Sequence, residues 1–211
     1  MKGVYLVTDH NALLGRPLES VVEAAARAGV CCVQLREKHA DTRTFLARAI
    51  SLKAQLAPFK IPLLINDRVD IALAARADGV HLGQSDMPYH AARELLGPEA
   101  VIGLSVETWE DVEAARDLDA DYLGVSPVFP TPTKTDTKTP WGLDGLTRIR
   151  QCVRHPLVAI GGIHPGNAPD VIRAGADCLA VVSAICSAQA PYEAAKALVA
   201  MFHSEQEENP I

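Results

Sequence analysis

The chain has no hydrophobic run long enough to cross a bilayer. Residues 1–11 carry one lysine and a short apolar stretch broken by Asp9 and His10, too short for the core of a signal sequence. A cytoplasmic protein without a membrane partner is therefore expected. The chain also lacks a cysteine framework. Cys31, Cys32, Cys152, Cys178 and Cys186 are an odd set, with no C-x-x-C pair and no histidines at zinc spacing. Buried, reduced thiols are expected in preference to disulfides, redox centres or zinc ligands. Finally, it lacks an excess of positive charge: 20 lysines and arginines stand against 26 acidic residues, a formal charge of −6. That excludes a general surface for nucleic acid or anionic membrane, so basic residues that gather in one place call for a specific anion.

What is present is alternation. Hydrophobic residues make up 48% and charged residues 22% of 211 residues, an ordinary globular composition at a length that suits one α/β barrel. Short apolar runs occur at 4–7, 31–35, 63–65, 79–82, 101–104, 122–125, 157–160 and 178–182. Between and after them, 18–28, 42–57, 69–76, 89–96, 108–118, 143–152, 167–174 and 192–202 carry apolar residues at helical spacing. Several helical stretches stop at glycine or an acidic turn, as in ARAGV, ARADGV and IRAGAD. Eight strands each followed by a helix predict a single (β/α)8 TIM barrel over 1–211, with 204–211 as a disordered tail. A doubly wound sheet would have fewer units and a reversal point.

In such a barrel, functional groups sit at the C-terminal strand ends and in the loops beyond them. The second run leads into Gln34-Leu35-Arg36-Glu37-Lys38. Strand alternation puts Cys32, Gln34 and Arg36 on the inward face and Cys31, Val33 and Leu35 on the other, with Lys38 just beyond. A guanidinium facing inward needs a partner, which an anionic ligand or an internal pair with Glu37 would supply. The third run ends at Asn66-Asp67 and the fourth at Gly83-Gln84-Ser85-Asp86. Two carboxylates at neighbouring strand ends suit Mg2+, although either could instead cap the next helix. His81, inside the fourth run, reads as packed more readily than as catalytic. Ser105 follows the fifth run. The sixth leads through Pro130, Thr131, Pro132, Thr133 and Lys134 to Trp141, an aperiodic stretch that suits a lid, a binding loop or a mobile surface loop. Gly161-Gly162 and Val182-Ser183, after the seventh and eighth runs, are the makings of a phosphate cup of backbone amides.

Taken in order, Gln34-x-Arg36-x-Lys38, Asn66-Asp67, Gly83-Gln84-x-Asp86, Pro130-Thr131-x-Thr133-Lys134, Gly161-Gly162 and Val182-Ser183 resemble the motif series of thiamine phosphate synthases, from about residue 4 to about residue 200. The resemblance implies that Gln34, Leu35, Arg36, Glu37 and Lys38, with Asn66, Ser105 and Lys134, bind a pyrimidine-methyl diphosphate. It implies that Asp67 and Asp86 hold Mg2+, and that Thr131, Pro132, Thr133, Gly162, Val182 and Ser183 bind a thiazole phosphate. The implied chemistry is loss of pyrophosphate from an aminopyrimidine methyl group and capture of the resulting cation by the thiazole nitrogen. Arg36, Lys38 and Lys134 would steady the departing charge, while Ser105 would hydrogen-bond the pyrimidine or the leaving group. The identities of the two heterocycles come from the family alone. Partners are then small molecules; a homo-oligomer stays open. The rivals are a thiazole tautomerase of the same superfamily, which generally lacks the diphosphate and metal set, a sugar-phosphate barrel isomerase, and a catalytically silent phosphate-binding protein.

Overall fold

The structure, a computed structural model, describes residues 1–133 and 138–208, with side chains through Glu205. Strands β1 (Gly3–Val7), β2 (Cys32–Leu35), β3 (Leu63–Asn66), β4 (Gly79–Leu82), β5 (Val101–Val106), β6 (Tyr122–Val125), β7 (Leu157–Ile160) and β8 (Cys178–Val181) pair in parallel, in chain order. β8 returns to β1 from Gly3 opposite Cys178 to Leu6 opposite Val181, which closes the barrel. Helices α1 (Leu18–Arg27), α2 (Thr42–Leu56), α3 (Val69–Ala75), α4 (Tyr89–Leu96), α5 (Trp109–Ala115), α6 (Gly142–Cys152) and α7 (Ala168–Arg173) each follow one strand. After β8 come a single turn, α8 (Ser183–Cys186), and the long α9 (Pro191–Glu208). The single (β/α)8 barrel expected from the sequence is therefore the observed fold. Among the described residues no helix is long and apolar enough to cross a membrane.

The side-chain period of two sorts the strands into two cores. Outward residues such as Leu6, Val33, Leu35, Ile65 and Leu82 join the helices in the main core. Inward residues Tyr5, Val7, Cys32, Leu64, Tyr122, Val158, Cys178 and Ala180 form a smaller plug inside the barrel. Space for that plug comes from missing side chains: a Cβ on Gly103 would lie 2.0 Å from Cζ of Tyr122.

Acidic residues just before alternate strands hold the N-terminal rim. Asp78 accepts the Leu63 amide at 2.7 Å and Lys53 at 2.6 Å. Asp121 accepts the Ile102 amide and Arg93, both at 2.8 Å. Asp177 accepts the Leu157 amide at 2.8 Å and Arg150 at 2.9 Å. Each carboxylate ties an amide in the first two residues of the neighbouring strand to a base on the preceding helix. This gives the acidic helix stops of the sequence a physical role beyond ending a helix.

Three expectations need correction. Within the tail expected at 204–211, residues 204–208 continue α9 through Glu208, and Glu205 pairs with Arg173 at 2.9 Å, while 209–211 lie outside the described residues. Cys31 does not face the helices; it precedes the first paired residue of β2, so alternation does not govern it, and its Sγ lies 3.7 Å from that of Cys178 against the inner plug. Cys152, the last residue of α6, is exposed, whereas Cys32, Cys178 and Cys186 are buried as expected.

Candidate active site

The C-terminal strand ends open into a cavity of about 660 Å3. β2 to β4 form one side of its rim and β7 and β8 the other, because β3 and β7 stand four strands apart in an eight-stranded ring.

On the first side Arg36 donates to Asp9 at 2.6 Å, and its own amide donates to Thr8 Oγ1 at 3.0 Å. The alternative of an internal pair with Glu37 is not what the structure shows. Glu37 instead takes Arg48 at 2.7 Å, facing an adjoining cavity of about 600 Å3. Lys38 donates to Asp67 at 2.7 Å. Asp67 has φ of 63°, a left-handed conformation that costs a non-glycine residue about 1–2 kcal/mol, and its amide is held by the carbonyl of His81 at 2.9 Å. Neither Asp67 nor Asp86 caps a helix. Arg68 and Pro88 occupy the N-cap positions of α3 and α4 without side-chain caps. Asp86 turns back to accept the Gly83 amide at 2.7 Å. Burial raises its carboxyl above the usual range, the Gly83 amide opposes the rise, and Asp67 adds to it through a hydrogen bond and its charge.

On the far side the carbonyls that would repel an anion are taken up by protein donors. Ile160 O accepts Val128 N at 2.8 Å, Gly161 O accepts Phe129 N at 3.1 Å, and Gly162 O accepts Asn167 Nδ2 at 2.9 Å. Asn167 Oδ1 also accepts His164 N at 2.9 Å, so one side chain braces the turn. Gly162 has φ of 64°, and a Cβ there would lie 2.8 Å from both Phe129 Cβ and Pro130 O. Across from this turn, α8 opens at Ser183, and the first amides of a helix have no carbonyl in the preceding turn to bond.

Between the two sides the cavity floor is polar and carries no carboxylate, ammonium or guanidinium. Gln34 Nε2 donates to Tyr5 Oη at 2.7 Å, Tyr5 and Tyr122 hydroxyls lie 3.1 Å apart, and His81 spans from Tyr122 Oη at 2.9 Å to Ser105 Oγ at 2.8 Å. Gln84 Nε2 donates to the Ser105 carbonyl at 2.6 Å.

Most residues singled out from the sequence meet here. Gln34, Arg36, Lys38, Asn66, Asp67, Asp86 and Ser105 line the cavity, as do Thr131, Pro132, Thr133, Gly162, Val182 and Ser183. Leu35 does not; its side chain is outward and fully buried under the helices. Glu37 faces the adjoining cavity instead. Lys134 lies outside the described residues. Sequence reasoning missed Asp9, Asn167, Lys138, Asp111, Tyr5 and Tyr122. Strand alternation places both tyrosines inward and could have found them. Asp111 also has a local signal, the Thr108-x-x-Asp111 capping box that starts α5. Among the described residues no three His, Cys, Asp or Glu side chains group as a metal-binding cluster. Asp67 and Asp86 could offer two oxygens, with the rest of a coordination shell left to ligands or water.

Fold and cavity together define a (β/α)8 barrel with a small-molecule site at its C-terminal rim. The family described as thiamine monophosphate synthase matches residues 4–185. The thiamine-phosphate synthase of Albidiferax ferrireducens is 63% identical over 192 residues, covering 91% of this chain and 88% of its own. That of Leptospira biflexa is 56% identical over 202 residues, covering 94% and 96%. The solved structure of the Pyrococcus furiosus thiamine phosphate pyrophosphorylase superposes with a TM-score of 0.87 at 36% identity, covering 96% of both chains. The chain belongs to the thiamine monophosphate synthase family and is a transferase of thiamine biosynthesis.

Proposed function

We propose that this chain condenses 4-amino-2-methyl-5-(diphosphooxymethyl)pyrimidine with 4-methyl-5-(2-phosphooxyethyl)thiazole, giving thiamine phosphate and pyrophosphate, with Mg2+ as cofactor in the cytoplasm. One observation carries the reading. A single cavity has cations and paired carboxylates on one rim, a turn with its carbonyls turned away on the other, and a polar floor between them. Two anionic groups fit at opposite ends, with two uncharged rings meeting in the middle.

The residues fit Mg2+. Asp67 and Asp86 are all-oxygen donors, with Asp67 close enough to add to the cost of ionising Asp86 and with Lys38 bonded to Asp67 as a counter-charge, and Asp67 keeps a strained backbone to stand there. When bound, the ion would neutralise charge growing on the diphosphate. In the bond change, the methylene C–O bond breaks with its electron pair leaving on pyrophosphate, and the thiazole nitrogen lone pair forms the new C–N bond. No protein nucleophile is required. Arg36, Lys38 and Asn66 bind the diphosphate, and Lys134 joins them on the strength of the motif alone. Their contribution is electrostatic and grows as the C–O bond breaks. Gly162, Val182 and Ser183 hold the thiazole phosphate with backbone amides, and Thr131 and Thr133 close on it from the β6 loop. Orientation of the two rings over the floor supplies the remainder.

The test is pyrophosphate release. With both substrates and Mg2+, one pyrophosphate should appear per thiamine phosphate, and omitting the thiazole phosphate should stop both. Absence of release with both substrates present would sink the reading.

A further inference from the structure

The floor of the cavity holds five side chains bonded end to end, and the direction of their hydrogen bonds can be worked out. Gln34, Tyr5, Tyr122 and Ser105 are at most 8% exposed, so water does not substitute for their partners. The Gln34 amide nitrogen is a donor only, hence Tyr5 Oη accepts from it. Tyr5 must then place its own proton, and Tyr122 Oη at 3.1 Å is the acceptor. Tyr122 in turn passes its proton to His81 Nδ1 at 2.9 Å. A neutral imidazole that accepts at Nδ1 carries its proton on Nε2, and that proton points at Ser105 Oγ, 2.8 Å away. Ser105 Oγ thus accepts from His81, its only protein partner among the described residues, which leaves its hydroxyl proton for the cavity. Burial holds both phenols far above their usual range, so each keeps the proton the chain requires.

We propose that Tyr122 and His81 are positioning residues: the one-way chain from Gln34 fixes His81 as the Nε2–H tautomer and presents the Ser105 hydroxyl as a hydrogen-bond donor to the diphosphate-bearing substrate. Reversal of the chain would make Ser105 an acceptor, the wrong polarity for an anionic leaving group. Reversal is opposed at the start of the chain, where Gln34 offers N–H and Tyr5 Oη must accept it. The Tyr122 and His81 rings lie near-parallel, with 16° between planes and 5.5 Å between centroids, which keeps Nδ1 directed at Tyr122 Oη. The mechanistic half of this inference rests on the function proposed above; the tautomer does not.

Two variants separate positioning from packing. Tyr122→Phe deletes the donor to Nδ1, whereas Cys178→Ala loosens the same inner plug, outside the cavity lining, and leaves every member of the chain in place. In 15N-histidine-labelled, ligand-free protein at about pH 8, above the ordinary imidazole range, long-range 1H–15N correlations report the tautomer. The His81 signal is assigned by its loss in His81→Asn. Wild type and Cys178→Ala should show Nε2–H, and Tyr122→Phe a mixture of tautomers. Tyr122→Phe should lower kcat/KM for the pyrimidine diphosphate about tenfold, the worth of one well-placed hydrogen bond, with the KM for the thiazole phosphate unchanged. Cys178→Ala should stay within about twofold of wild type. Binding of inorganic pyrophosphate with Mg2+, followed by calorimetry, should weaken in Tyr122→Phe alone. An Nδ1–H tautomer or an imidazolium in the wild type overturns the proposal, as does equal damage from the two variants. A wild type that shows Nε2–H yet releases no pyrophosphate from the two substrates would overturn the proposed function and leave the relay standing.

Discussion

Gly162 is where the backbone of the far rim can be tested most directly. Replacing it with alanine forces a side chain into φ of 64° and sets a Cβ 2.8 Å from both Phe129 Cβ and Pro130 O. The left-handed conformation alone costs about 1–2 kcal/mol. Relieving overlap with two atoms, one of them backbone, adds about 1–3 kcal/mol. Gly162→Ala should therefore lose about 2–5 kcal/mol of stability in urea denaturation. Gly15 supplies the control: it has φ of 80° and no atom within 4 Å of the place a Cβ would take, so Gly15→Ala should show the conformational cost by itself. The overlap at residue 162 pushes on Phe129 and Pro130, which lead into Thr131 and Thr133. Accordingly, the KM for the thiazole phosphate should rise well above that for the pyrimidine diphosphate. If Gly162→Ala costs no more than Gly15→Ala, the far rim is slack. If both substrates suffer equally in a folded variant, the division of the cavity into two anion ends is wrong.

Asp177→Asn should destabilise by about 2 kcal/mol, since it weakens charge-assisted bonds to Arg150 and the Leu157 amide at a side chain only 14% exposed; an unchanged urea midpoint would remove the rim carboxylates from the stability argument. Mg2+ with pyrophosphate should raise the melting temperature of wild type, by the equivalent of about 2.7 kcal/mol at a hundredfold excess over Kd, and should fail to do so in Asp86→Asn; equal shifts would place the ion elsewhere. Burial pushes the Cys186 thiol up to about 11, so its folded form favours the proton. Its contribution is complete below the unfolded thiol range and is lost as pH rises through about 11. Stability should fall across that window by on the order of 2–3 kcal/mol, less steeply in Cys186→Ala. Native protein should meanwhile be alkylated at exposed Cys152 and spared at Cys186, as mass spectrometry would report.

The barrel was legible in the sequence because its signals are local. Short apolar runs at the strands, a period near four in the helices and glycine or aspartate at several helix stops survive without knowledge of the fold. α8 was not legible because four residues hold no full amphipathic period. At the site, the residues that project straight from strand ends were found, whereas their partners were not. Arg36 meets Asp9 across 27 positions of chain and Lys38 meets Asp67 across 29. Only the closure of neighbouring strands makes those pairs; sequence proximity offered Arg36 no protein partner other than Glu37. Leu35 marks the other limit. A motif read as a contiguous block, residues 34–38, assigned it to the ligand, yet alternation turns its side chain to the helices.

The partners that sequence could not name alter how the cationic rim must work. Arg36 and Lys38 are each already engaged, at 2.6 Å and 2.7 Å, by carboxylates that themselves line or border the cavity. A diphosphate therefore does not meet two bare charges. It meets guanidinium and ammonium groups whose directions are set in advance, and whose carboxylate partners must share or yield them. Arg36 is only 15% exposed and Lys38 is 44% exposed, so the two respond differently. A half-buried guanidinium with five donors can keep Asp9 on one edge and offer the other, while an exposed ammonium on a flexible stem can swing between Asp67 and a phosphate oxygen. Arg36 is thus suited to fixing where the diphosphate sits and Lys38 to following its charge as the bond breaks. Arg36→Ala should accordingly act mainly on KM for the pyrimidine diphosphate. Lys38→Ala should act mainly on kcat, by about a hundredfold, the usual effect of removing one transition-state contact. Single-turnover kinetics at saturating substrate separates the two. A chemical step left intact by Lys38→Ala would make that lysine an anchor as well, and would shift support of the leaving group to the other residues of the rim.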